Sequence, residues 1–196
     1  MKIIPQKIDG KTSKDYSTMG ITYFNSEDYQ KAIECYQKAV KIDPQDSKAW
    51  TTMGIAYYRL KNYQKAIECY QKAVKIDPQD KEAWKNIGHE YRDKITEYIS
   101  DGKKIEYCAK AIECYQKAVK IDPQDSMAWT VLGVAYHELG VYQKAIECYQ
   151  KAVTINPKDG QTWLNMSETY FKLESYKKAK ECYMKAIQLG PSLEKF

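Results

Sequence analysis

Apolar residues return along the chain at helical spacing, and short polar turns break them at regular intervals. Trp50, Met53, Gly54 and Tyr57 fall at i, i+3, i+4 and i+7, one stripe of an amphipathic helix. After a turn near Lys61-Asn62, the residues Ala66, Ile67, Tyr70, Ala73 and Val74 form the matching stripe of a second helix. Pro78 ends that helix because it has no amide N–H to donate, and Asp80 is placed to cap the next one. The pattern predicts a helical hairpin.

The same hairpin is written several times over. The phrase Lys-Ala-Ile-Glu-Cys-Tyr-Gln-Lys-Ala-Val starts at Lys31, Lys65, Lys110 and Lys144, with a looser copy from Lys178, in steps of 34, 45, 34 and 34 residues. Each copy leads to a proline (Pro44, Pro78, Pro123, Pro157, Pro191), and an aromatic recurs at Tyr16, Trp50, Trp84, Trp129 and Trp163. Such a fixed period marks a repeat architecture. A glycine inside a helix costs about 1 kcal/mol relative to alanine. Its return at Gly20, Gly54, Gly88 and Gly133 therefore implies close approach of the paired helices, with Ala32, Ala66, Ala111 and Ala145 expected as the small partners.

Trp129, Leu132-Gly133, Tyr136, Ala145, Tyr149, Ala152 and Pro157 reproduce the residue spacing of the tetratricopeptide repeat (TPR) family, which the chain closely resembles over nearly its whole length. Tyr16 in place of tryptophan and Ser167 in place of glycine are the departures. The resemblance implies an all-α fold, a right-handed superhelical solenoid of antiparallel helix pairs. About five repeats are expected, at 13–46, 47–80, 81–125, 126–159 and 160–193. Residues 1–12 read as the remnant of a preceding repeat or an N-terminal tail, and 194–196 as the start of a truncated next unit.

The third repeat is 11 residues longer than its neighbours, close to three helical turns, so helix phase can be kept. Two long helices, roughly 81–100 and 103–120, are expected around a turn at Ser100-Asp101-Gly102, projecting as a short arm. No polar cap closes the array. It reads as part of a longer one, or as an array whose bare end, around Cys182, Ile187 and Leu189, meets another copy of the chain.

In the family the first helices line a concave groove that holds a peptide. By position, that groove would take Lys14, Ser17, Ile21 and Phe24 from the first repeat and Lys48, Thr51, Ile55 and Tyr58 from the second. Glu82, Lys85, His89 and Arg92 follow from the third, and Met127, Thr130, Val134 and His137 from the fourth. The fifth supplies Gln161, Leu164, Glu168 and Phe171. These positions vary while the second helices are near copies, so they are read as free of framework duty and open to specificity. Apolar groups at both ends and the cations Lys85, His89 and Arg92 between them suit a peptide with apolar anchors and one acidic residue. One branch of the family grips a chaperone's terminal carboxylates with lysines and asparagines. Lys85 and Asn86 stand at such positions, but His89, Val131 and Asn165 leave the clamp incomplete, so that ligand is not expected.

Composition supports a scaffold and narrows the alternatives. The net charge is +5, and Arg59 and Arg92 are the only arginines. A phosphate reader would use more of them for bidentate contacts. A nucleic-acid-binding repeat is therefore an alternative, as is a self-assembling or engineered array with no natural ligand. No apolar run approaches the roughly 18 residues needed to span a bilayer, and a cytoplasmic protein is expected. Cys35, Cys69, Cys114, Cys148 and Cys182 share one repeat position, with Cys108 extra, and read as small packing groups. No Cys-x-x-Cys pair, phosphate loop or nucleophile motif stands out, so neither a metal or cofactor nor catalysis is expected.

Overall fold

The computed structural model describes residues 7–97 and 101–190, with side chains for 7–94 and 102–190. Among them the chain is all-α, with a single bridge between Ile8 and Lys11 outside the helices. Its contacts divide into two compact units, Met1–Glu90 and Tyr91–Phe196.

The first unit holds α1 (Ser13–Asn25), α2 (Tyr29–Ile42), α3 (Ser47–Arg59), α4 (Tyr63–Ile76) and the start of α5 (Lys81–Glu97). The second holds the rest of α5, then α6 (Asp101–Ile121), α7 (Ser126–Glu138), α8 (Tyr142–Ile155), α9 (Gly160–Lys172) and α10 (Tyr176–Leu189). Short turns force consecutive helices to run antiparallel. Consecutive helices pack on one another, α1 on α2, α2 on α3 and α3 on α4 in the first unit, and likewise from α6 to α10 in the second.

The starts and turns have local causes. Asp46, Asp80, Asp125 and Asp159 each accept a backbone N–H from the first turn of the helix that follows, so they cap α3, α5, α7 and α9. At the hairpin turns, Glu27, Lys61 and Glu174 adopt φ of 61°, 58° and 56°, and Gly140 holds the same place at 77°. The next N–H then reaches back to a tyrosine carbonyl, as in Asn62 to Tyr57 and Val141 to Tyr136. Only Gly140 is a residue that adopts this conformation without strain.

The core is built from alanines and tyrosines. Tyr36, Tyr70, Tyr115 and Tyr149 are completely buried on the second helices. They explain the recurring glycines, and the explanation differs from the expected one. A Cβ on Gly20, Gly54 or Gly133 would stand 2.6, 2.5 or 2.5 Å from the ring of Tyr36, Tyr70 or Tyr149. The glycine accommodates a buried aromatic face, not an alanine. In the last pair Ser167 takes the glycine position and donates to the Ala179 carbonyl at 2.8 Å, while the corresponding Tyr183 is exposed.

The long third hairpin keeps its helices, but Asp101 and Gly102 of the expected turn lie within α6; the remainder of that turn, 98–100, lies outside the described residues. The extension is also tethered. Lys104 pairs with Glu138 at the end of α7 at 2.8 Å, and Tyr91 stacks on Tyr107 at 6.2 Å.

Candidate functional site

On the first helices of the first unit, the expected groove residues divide into exposed and engaged groups. Lys14, Ile21, Lys48 and Tyr58 are exposed, and Phe24 and Ile55 are half-buried. Ser17 and Thr51 are engaged instead: Ser17 Oγ donates to Asp46 Oδ2 at 3.4 Å, and Thr51 Oγ1 donates to Asp80 Oδ2 at 2.6 Å. Thr51 is buried and has nothing to offer a ligand. Each aspartate divides its oxygens, Oδ1 capping its own helix and Oδ2 holding the preceding pair. The expectation that these positions carry no framework duty is corrected: a hydroxyl here fastens one hairpin to the next.

The second unit uses the same device with one more link. Thr130 Oγ1 lies 2.6 Å from Thr162 Oγ1, and Thr162 donates to Asp159 Oδ2. Since Thr162 has one hydroxyl proton and spends it on Asp159, Thr130 is the donor to Thr162. Met127, Leu164, Glu168 and Phe171 remain exposed, and Val134 is half-buried.

Four groove residues also brace their own hairpin turns. Phe24, Tyr58, His137 and Phe171 each meet the ring five residues on (Tyr29, Tyr63, Tyr142, Tyr176) edge to face, with centroids 5.3 to 5.6 Å apart. Such pairs add about 0.5–1.5 kcal/mol beyond the area they bury. His137 is further fixed through Nδ1, 2.8 Å from Thr169 Oγ1. Thr169 donates its proton to the Asn165 carbonyl, so Nδ1–H is the donor to Thr169.

The expected central positive charge is largely compensated. Lys85 pairs with Glu82 at 3.6 Å, Arg92 with Asp93 at 2.9 Å, and His89 is half-buried. Lys14 and Lys48, by contrast, face no carboxylate partner among the described residues. The open cations of the first unit therefore lie about two helical turns before Ile21 and Ile55 on the same helices. Glu138 is held by Lys104. Among the described residues no group of three His, Cys, Asp or Glu side chains is placed to hold a metal ion.

Three lysines of the second helices pack over tryptophans of the first helices. Lys72, Lys151 and Lys185 lie 4.2, 4.2 and 4.3 Å over the rings of Trp50, Trp129 and Trp163. All six cysteines are buried with free thiols, and desolvation raises Cys69 and Cys114 to about 12 and Cys148 to about 11. Thiols so displaced stay protonated and act as packing groups. No helix among the described residues is long and apolar enough to cross a membrane.

Profiles of the tetratricopeptide repeat match residues 47–80 and 126–159, a second TPR repeat profile matches 20–61 and 108–140, and a third matches 160–192. No curated protein sequence matches the chain. Among solved structures, the MamA protein superposes with a TM-score of 0.79 at 24% identity, covering 90% of this chain and 91% of that one. MamA from Desulfovibrio magneticus RS-1 gives 0.78 at 22% identity, covering 93% and 97%. YrrB, described as a TPR protein with an unusual peptide-binding site, gives 0.79 at 20% identity, covering 94% and 90%.

Proposed function

Because the chain belongs to the tetratricopeptide repeat family, we propose that it is a non-catalytic interaction scaffold whose first helices bind a segment of a partner protein. The observation that carries this reading is the set of large apolar side chains left open there. Phe171 is 61% exposed, Met127 57% and Ile21 50%, while the second helices bury nearly identical tyrosines and alanines. Apolar groups held open on rigid helices mark interaction surfaces.

The two units would offer different chemistry. On the first, Lys14 and Lys48 flank Ile21, Ile55, Phe24 and Tyr58, a surface for an apolar segment that carries a carboxylate. On the second, Met127, Val134, Leu164 and Phe171 surround His137 and Glu168, a surface for apolar anchors with a hydrogen-bond acceptor or a cation. YrrB, which shares the fold, is described as having a peptide-binding site. The surfaces are formed on helices before any ligand arrives, which lowers the ordering cost of association.

The test is affinity capture by the full chain with mass spectrometry, followed by titration of the captured protein. Ile21→Ala and Phe171→Ala should each weaken binding about tenfold or more, as central apolar anchors do. Affinity unchanged in both variants would overturn the reading.

A further inference from the structure

The grooves on the side of the second helices share a floor but not a size. The cavity measures about 280 Å³ between α2 and α4, about 270 Å³ between α6 and α8, and about 1130 Å³ between α8 and α10. Trp163 and Tyr170 of α9 line the largest. The Trp163 indole N–H donates to the Pro157 carbonyl at 3.0 Å and Lys185 lies over its ring, so this floor is fixed.

What differs is α10. It carries Lys177 where α4 and α8 carry Gln64 and Gln143, and Met184 where they carry Gln71 and Gln150. It carries an exposed Lys180 where they bury Ile67 and Ile146. All three departures line the enlarged cavity, and Met184 is 47% exposed. In helices that are otherwise near copies, these changes add two cations and one apolar contact to a single groove.

The charge there is one-sided. Lys177, Lys178, Lys180 and Lys185 line the groove against one carboxylate, Glu181. Lys177 and Lys180 form no ion pair among the described residues. A cationic rim around an exposed methionine is complementary to a segment that sets carboxylates beside one bulky apolar side chain. It suits nucleic acid less well. Trp163 is half-buried under Lys185, which removes the open platform on which a base would stack, and the groove offers no arginine.

We propose that the groove between α8 and α10 is a second docking site, on the side of the second helices, for an acidic protein segment with one large apolar anchor. The anchor packs on Met184 beside Trp163, and the acidic residues meet Lys177 and Lys180, the latter at the border with the cavity lined by Leu164, Glu168 and Phe171.

The probe is a fluorescein-labelled, glutamate-rich peptide with one central phenylalanine, titrated with the full chain by fluorescence anisotropy. The double variant Lys177→Gln/Met184→Gln restores the residues of α8, and its circular dichroism melt checks that it folds. Its affinity should fall about tenfold, whereas Ile21→Ala, in the other unit, should bind this peptide as the parent does and a peptide with lysine for glutamate should not bind. The proposal is overturned by equal affinity in the double variant, by loss of binding in Ile21→Ala, by displacement with single-stranded RNA at comparable concentration, or by no binding to the parent chain.

Discussion

Replacing Gly133 with alanine isolates the contact that sets the spacing of the fourth hairpin. The added Cβ would stand 2.5 Å from Tyr149 Cε1, 2.7 Å from Cδ1 and 3.0 Å from Cζ, against an ordinary carbon–carbon separation of about 3.5–4 Å. Neither side yields easily, since the methyl is fixed to a helix backbone and the Tyr149 ring is 1% exposed. Overpacking of this kind costs about 3 kcal/mol at the upper end of its usual range, and the better helix propensity of alanine offsets about 1 kcal/mol. The net loss is about 2 kcal/mol, a fall in Tm of about 4–8 °C for a chain of this size. Gly102→Ala is the control. It lies within α6 with nothing inside 4 Å of its Cβ position, and should raise stability by up to about 1 kcal/mol. Urea unfolding followed at 222 nm measures both. A double-mutant cycle with Tyr149→Leu should return a coupling of about 1–2 kcal/mol, because the smaller side chain relieves the clash. If Gly133→Ala were as stable as the parent, or the cycle were additive, tyrosine would not be what the glycine accommodates.

Two other outcomes follow from features of the fold. Thr51→Val should cost about 1–3 kcal/mol, since it leaves the Asp80 oxygen at a buried seam without its donor; Thr18→Val, exposed on α1 and bonded to the Lys14 carbonyl of its own helix, should cost far less by the same urea assay. The buried thiols make stability depend on alkaline pH. Cys69, Cys114 and Cys148 hold their protons in the folded chain to about 12, 12 and 11, above the ordinary 9.0, so unfolding releases protons once the pH exceeds 9. Their contribution is complete below pH 9 and is lost as pH rises through 11 to 12. The urea midpoint should fall across that window, and less steeply in Cys69→Ala; an identical slope in that variant would contradict the assignment.

The architecture was legible because its signals are local or strictly periodic. Trp50, Gly54, Tyr57 and Pro78 lie within one period and recur with it, and the capping aspartates sit immediately before the helices they start. The site was legible only as a list of positions. Thr51 and Asp80 are 29 residues apart, a separation that matches no helical stripe, so their bond shows only when the hairpins are stacked. The signal was nonetheless present: a small hydroxyl at Ser17, Thr51 and Thr130 accompanies an aspartate at the close of the same repeat. The glycine partner was misjudged for a related reason. Alanine was chosen for size, whereas the flat face of a tyrosine approaches a helix backbone as closely as any small side chain. Lys85 and Arg92 stood out as cations in the sequence, but the carboxylates that compensate them, Glu82 and Asp93, are their near neighbours on the same helix.

The shared aspartate at each seam has a consequence for heredity. A carboxylate such as Asp80 belongs to the closing residues of one period and is met by a hydroxyl from earlier in that same period, so both halves of the joint are encoded within one stretch of 34 codons. A recombination slip that copies such a stretch therefore copies a working fastener along with the hairpin. The 11-residue extension of the third hairpin falls in the repeat where Lys85 stands in place of that hydroxyl, so it lengthened the chain without parting a donor from its acceptor.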